Sequence, residues 1–318
     1  MRRAMTRPSA CVVYAPLMVA QSSPVGQGAL CAACNGPMSL DVRSPASTYA
    51  RRGAYHVATC DRCGSGRTVP VPTSAELEAF YATEYKYDAH ILIESEKRWR
   101  AGRILDEALP AGAKRVLDIG CMYGYLLEEA RARGLEAVGV ELSPGAAAAA
   151  DAKGFRVHRG KIEEFAATET GTYDLVVAQH VLEHIEDPED FLRHARGLLS
   201  PGGKLCIVVP NYDSKVRKTF KHSWGWYQLP VHLHHFGHRG LETLLSRAGF
   251  DVDRHVQRGG DSLFMMTTLL QSIDKMPSSA RTTSWTGASR TFFRAASAAL
   301  RPYYFVGDDE LVYVASTR

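Results

Sequence analysis

Four of the seven cysteines fall in two Cys-x-x-Cys pairs, Cys31-Ala-Ala-Cys34 and Cys60-Asp-Arg-Cys63. Thiolates at that spacing form the two knuckles of a tetrahedral, four-cysteine zinc site. The odd total argues against a disulfide framework, so the expected metal is a structural Zn2+ in a reducing, cytoplasmic setting. The second group lies in Val116-Leu-Asp-Ile-Gly-Cys-Met-Tyr-Gly124. This run reads as a buried strand that delivers Asp118, then Gly120, to the carboxyl edge of a parallel sheet, where such folds bind ligands. Gly120 and Gly124 allow close backbone approach or positive φ. Asp118 can meet a cationic amine, directly or through water. Glu141, about 20 residues further on, suits a pair of ribose hydroxyls. Two acids bracketing Gly-x-x-x-Gly favour an amino-acid nucleoside over the pyrophosphate held by Gly-x-Gly-x-x-Gly. The third group is imidazole: His180 and His184 flank Val-Leu-Glu, and Pro230-Val-His-Leu-His-His-Phe236 adds three more. Histidine is the side chain best matched to moving protons near neutrality.

These residues need a scaffold. Short apolar runs predict strands at 115–119, 136–141, 155–158, 173–179 and 203–209, with a closing strand at Glu310-Leu-Val-Tyr-Val-Ala315. Helical patterns between them imply an α/β fold with a parallel sheet and helices on both faces. One helix is well marked: Asp187 can cap it, Pro188 fits its first turn, and Phe191, Leu192, Ala195, Leu198 and Leu199 form its stripe. Another, at about 239–248, stops at Gly249. Thr73 and Glu76 have capping-box spacing, and a further helix is expected over 89–109. The expected order is a flexible leader (1–30), a zinc-ribbon-like module (31–72), a helical cap (73–110), and the main domain (111–318) with an insertion at about 264–302.

The 318-residue chain is 45% hydrophobic and 23% charged, which excludes wholesale disorder and a polytopic membrane protein. Its net charge of +4, from 38 basic and 34 acidic side chains, gives nucleic-acid binding no support. No apolar run reaches the roughly 20 residues of a membrane span. Met1-Arg-Arg followed by the apolar stretch Cys11 to Ala20 has the outline of a short secretion signal. The preferred reading is a leader, or a start placed upstream of Met5 or Met18.

Over about residues 75–318 the sequence resembles the class I S-adenosylmethionine-dependent methyltransferases, particularly the ubiquinone-biosynthesis-like branch. The resemblance rests on Leu117-Asp-Ile-Gly-Cys-Met-Tyr-Gly124, Gly139-Val-Glu-Leu-Ser143, Tyr173-Asp-Leu-Val-Val-Ala-Gln-His-Val-Leu-Glu-His184, and Leu199-Ser-Pro-Gly-Gly203 leading into Val209-Pro-Asn211, in that order. It implies a Rossmann-like, seven-stranded, mostly parallel sheet and S-adenosyl-L-methionine as cofactor. Asp118, Gly120 and Gly124 would hold the methionine part and Glu141 the ribose. Lys161 and Ile162 would lie beside adenine, and Gln179 would face the cofactor. Met122 departs from the glycine of many relatives. His232 matches the histidine of the family's Pro-x-His-Leu segment on the acceptor side. His180 and His232 are therefore the candidate general bases, His184 a support for its loop, and His234 or His235 a surface residue. Tyr81, Tyr85 and Tyr87 precede the core, where relatives fold a helix over the cofactor, and Tyr85 is a lid candidate.

The expected acceptor is a small molecule, at a hydroxyl or carbon of a sugar, polysaccharide or natural-product intermediate. An RNA methyltransferase using the ribbon, or a non-catalytic relative, are the alternatives. Arg290 to Arg301 reads as a helix over the acceptor site or at a homodimer contact, with a membrane-surface role toward a lipid-linked sugar as its rival.

Overall fold

A computed structural model of the chain describes residues 30–42, 54–77, 94–260 and 302–318, with 265, 268, 269 and 299. Most of the expected leader, Tyr81, Tyr85, Tyr87 and nearly all of the insertion lie outside the described residues.

Eleven strands are described: β1 (Met38–Val42), β2 (His56–Cys60), β3 (Gly66–Val69), β4 (Arg115–Ile119), β5 (Glu136–Glu141), β6 (Arg156–Arg159), β7 (Tyr173–Gln179), β8 (Leu199–Pro210), β9 (His234–His235), β10 (Phe250–Arg258) and β11 (Glu310–Thr317). The helices are α1 (Glu94–Ala108), α2 (Tyr125–Ala132), α3 (Pro144–Asp151), α4 (Ile162–Thr168), α5 (Pro188–Gly197), α6 (Lys215–Phe220), α7 (His238–Arg247) and α8 (Tyr303–Val306). Seven strands form one sheet in the order β10-β11-β8-β7-β4-β5-β6. The run from β8 to β6 is parallel, while β11 is antiparallel to both β8 and β10. This is the Rossmann-like α/β architecture with a mostly parallel sheet.

The strands are apolar on both faces because both are covered. Val116, Leu175, Val177, Cys206 and Val208 pack under α1 and α2 against Ile104, Leu105, Leu126 and Ala130. Their chain neighbours Leu117, Val176, Ala178, Leu205 and Ile207 face the other way, toward Phe165 of α4, Phe191 and Leu192 of α5, and Leu241, Leu244 and Leu245 of α7. The period of two is visible in each central strand. Full burial of a side chain such as Phe191 or Leu244 stabilises by about 1.5–3 kcal/mol. The Asp187 carboxylate caps α5 by accepting the Asp190 amide at 3.0 Å, with Pro188 in the first turn. Thr73 and Glu76 form their capping box, the Thr73 amide donating to Glu76 Oε2 at 2.7 Å and the Glu76 amide to Thr73 Oγ1 at 3.2 Å. The edge strand β10 was not foreseen: Phe250, Val252 and Val256 alternate with polar residues, but a bulge between Val252 and Arg254 breaks the pattern.

The cysteine module carries its own antiparallel sheet, β1-β2-β3, completed by β9 from the distant histidine run. Gly66 pairs with His235 and Arg67 with His234. Ser65 Oγ accepts the Gly237 amide at 3.1 Å, and the Thr68 amide donates to the Leu233 carbonyl at 3.0 Å. Cys31, Cys60 and Cys63 share a continuous core with Phe236 and Leu241, so the module packs directly on the start of α7. Among the described residues no helix is long and apolar enough to cross a membrane.

Candidate active site

The carboxyl ends of β4, β5, β6 and β7 are neighbours in the sheet, and the loop after β4 crosses them. Its glycines have left-handed backbone, φ 75° at Gly120 and 76° at Gly124, the latter preceding the first turn of α2. A Cβ at Gly120 would overlap Val181 Cγ2, so the bare backbone there lets segment 180–184 close against the loop. Met122 also sits at positive φ, 45°, where glycine would be unstrained.

Asp118 and Glu141 are both buried, at 5% exposure. Glu141 ties the two loops together: its carboxylate accepts the Met122 amide at 2.8 Å and the Ser143 amide at 2.7 Å. Burial, reinforced by the negative charge of Glu141, pushes the Asp118 carboxyl up to about 8. Burial also raises Glu141, although its backbone donors oppose this. Next along the edge, the Gly160 amide donates to the Glu141 carbonyl at 3.1 Å. Lys161 is exposed ahead of α4, while Ile162 is 3% exposed. Gln179 ends β7, half-buried, in register with Val208. Asp118, Gly120, Gly124, Glu141, Lys161, Ile162 and Gln179 thus line one edge of four adjacent strands.

The histidines lie beyond β7. His180, at φ 55°, is held on both ring nitrogens: Nδ1 is 3.3 Å from Glu183 Oε1 and Nε2 is 3.0 Å from Glu310 Oε1. Its ring stacks on Trp226 with centroids 4.7 Å apart. Glu310 is fully buried and also paired with Arg100 and with Arg258 Nε, the latter at 3.1 Å. Burial alone would raise Glu310, but Arg100, His180 and Arg258 hold it well below the usual carboxylate range. Burial would lower His180, yet Glu310 and Glu183 outweigh it and raise the imidazole above its ordinary value. His180 therefore has both nitrogens committed to carboxylates.

His232 is placed differently. It is 2% exposed, its Nε2 lies 3.2 Å from Gln228 Nε2, and its Nδ1 makes no hydrogen bond. Burial, then the neighbouring histidines His184, His235 and His180, push it well below its ordinary value and keep it neutral. The His184 ring meets it edge-on at 4.6 Å, and His184 Nδ1 donates to the Val231 carbonyl at 2.9 Å. His234 and His235 are not surface residues: both are buried in the junction with β3, at 4% and 3% exposure. Burial lowers them to about 4 and about 3.

The four module cysteines are free thiols whose Sγ atoms lie within 4.8 Å of one another, with Cys31 and Cys63 at 3.6 Å and Cys34 and Cys60 at 3.5 Å. Four sulfurs about 2.3 Å from a tetrahedral zinc would stand about 3.8 Å apart. A Cβ at Gly36 would lie 2.8 Å from Cys60 Sγ and 3.2 Å from Cys34 Sγ, so the turn is cut to fit the thiolates.

Sequence reasoning missed Glu310, Arg100, Arg258 and Trp226. Their available signals were an acid opening an otherwise apolar strand and the cluster Trp224-Gly-Trp-Tyr227 just before the histidine run.

A methyltransferase-domain family model matches residues 93–255, just over half of the 318-residue chain. A ubiquinone biosynthesis O-methyltransferase of Aromatoleum aromaticum is 34% identical over 117 residues, covering 35% of this chain and 50% of the relative. One from Marinobacter nauticus is 28% identical over 162 residues, covering 44% and 68%. The chain spans about half the length of most of the curated relatives it matches. Among solved structures, a chain from the complex of the Haloferax volcanii Trm112 methyltransferase activator with a methyltransferase shares the fold, with TM-score 0.50, 17% identity and coverage of 76% of this chain and 97% of that one.

Proposed function

Given that the chain belongs to the class I S-adenosylmethionine-dependent methyltransferases, we propose that it methylates a hydroxyl of a small molecule, with the β4 edge holding the donor and the histidine cluster facing the acceptor. The observation that carries this reading is the buried Asp118 and Glu141 pair, short of positive charge, beside a loop that closes on segment 180–184. Bound S-adenosylmethionine supplies an electrophilic methyl group on a cationic sulfur. Asp118 would then hold the donor's ammonium group and Glu141 its ribose hydroxyls, with Gly120 and Gly124 giving the backbone room. Lys161 and Ile162 would border the adenine, and Gln179 would face the cofactor.

Alignment and exclusion of water are the main tasks in a displacement at carbon. We assign His232 to the acceptor hydroxyl because its Nδ1 is uncommitted, and His180 to positioning because both its nitrogens are held. The names of the curated relatives, O-methyltransferases, agree with oxygen as the attacked atom. A sugar or natural-product hydroxyl is the acceptor class we favour. The module cysteines fit a structural Zn2+, which would hold β3 against β9 and so set the wall that carries His232.

Calorimetric titration with S-adenosylmethionine and its demethylated product tests the donor half, and absence of binding to folded protein would end the reading. Transfer of labelled methyl to a panel of hydroxylated small molecules, with RNA alongside, tests the acceptor half. Label reaching only RNA would replace small molecule with nucleic acid.

A further inference from the structure

The loop after β4 carries two residues with left-handed backbone, Met122 at φ 45° and Gly124 at φ 76°, on either side of Tyr123. A non-glycine residue in that region persists only where its surroundings over-determine it. Glu141 pins the loop from the sheet side by accepting the Met122 amide at 2.8 Å. From the helix side, Lys153 Nζ donates to the Tyr123 carbonyl at 2.7 Å, reaching across from the turn that follows α3.

Lys153 is itself held. Its ammonium group also donates to Glu128 Oε2 of α2 at 3.0 Å and lies 5.0 Å from the centre of the Tyr125 ring. Arg98 of α1 grips the same carboxylate with both arms, Nη1 at 2.7 Å from Oε2 and Nη2 at 3.2 Å from Oε1, and lies 5.3 Å from the same ring. Glu94 in turn accepts from Arg98 Nε and Nη2 at 3.1 and 3.0 Å. An isolated exposed ion pair contributes little, but here one carboxylate, 19% exposed, takes two cations that share an aromatic ring. That network limits where the Lys153 ammonium group can go, and the Tyr123 carbonyl is within its reach.

We infer that Lys153 is a positioning residue for the donor site: it fixes loop 121–124 in the shape that binds the donor, and Glu128 with Arg98 fixes Lys153. The role in binding rests on the donor reading above, whereas the hold on the loop does not. Without the ammonium group Met122 is held from one side only, and the loop spends part of its time away from the binding shape. Donor affinity then falls in proportion to the time lost.

Lys153→Met keeps the stem of the side chain and removes its charge. In the free full-length protein, hydrogen exchange followed by NMR should quicken about tenfold at the Met122 and Gly124 amides, with the Leu117 amide of β4 unchanged. Calorimetry with demethylated donor should give a Kd about tenfold above wild type, and Lys153→Arg should restore it to within about threefold of wild type. Arg98→Met should weaken binding about threefold in the wild-type background and not at all alongside Lys153→Met, since it acts through that ammonium group. A lysine that merely stabilises the fold would lower the melting temperature and leave both loop exchange and affinity as they were. The inference is overturned if Lys153→Met leaves exchange at Met122 and Gly124 unchanged, if it binds demethylated donor as wild type does, or if Arg98→Met weakens binding equally in both backgrounds. Quickened exchange in a protein whose wild type binds neither donor nor product would remove the donor reading, and the role of Lys153 in binding with it, while leaving its hold on the loop.

Discussion

The β4 edge and the histidine cluster are a few residues apart in space yet built on opposite plans. At the edge each residue ends one strand of a parallel sheet or sits in the loop that follows it, and the backbone does most of the shaping. The cluster is assembled from α1, the turn after β7, the segment 224–236, the last strand and the cysteine module. The first plan is local and tolerates change elsewhere in the chain. The second fails whenever one distant piece is lost.

The strongest way to break the comparison is to remove the cysteine site. If the cysteines hold the proposed zinc, its chelation, like Cys60→Ser, should displace β3 and β9, cutting turnover on the order of a hundredfold or more, since small misplacements of positioned groups have that effect. Donor affinity by calorimetry should stay within about threefold, given the independence of the β4 edge. Equal losses on both sides would show that the two regions are one unit. The complementary change is Glu141→Ala, which removes charged hydrogen bonds worth about 2–3 kcal/mol. Donor affinity should fall about thirtyfold to a hundredfold, with the acceptor KM unchanged at saturating donor.

A subtler test uses protons. In the free protein Asp118 keeps its proton up to about 8, whereas an unfolded carboxylate loses it near 4. Stability from this group is therefore full below that lower value and is lost as pH rises through the upper one. A cation beside Asp118 reverses the balance, so donor binding between those limits should release up to about one proton and tighten as pH rises. Calorimetry in buffers of different ionisation enthalpy measures this directly, and identical heats in all buffers would remove Asp118 from the ammonium role. The smallest effect belongs to Met122→Gly. Relief of its left-handed backbone, offset by the freedom glycine gains in the unfolded chain, should change stability by no more than about 1 kcal/mol, read as a shift in melting temperature.

The same contrast explains what could be read from the chain. Asp118, Gly120 and Glu141 were legible because strand, loop and acid are consecutive and each residue type answers a local need. The two knuckles were legible for the same reason. Glu310 was not: its partner Arg100 is 210 positions away, and an acid opening an apolar strand reads equally as a solvent-facing strand end. His234 and His235 looked like solvent-facing residues because a two-residue strand leaves no periodic pattern. His180 drew attention by chemistry alone, and only the fold revealed that two carboxylates already hold it.

The pairing of β3 with β9 also bears on how the chain comes together as it is made. Gly66 leaves the ribosome well before its partner His235 exists, so the module must wait with one strand edge open while most of the large sheet is synthesised. Long-range closures of this kind are slow, and an open edge is a template for a stray strand. Metal captured early by the thiols would keep β2 and β3 folded through that interval. Its service to the protein would then begin during synthesis, by guarding an unfinished sheet until the histidine run arrives to seal it.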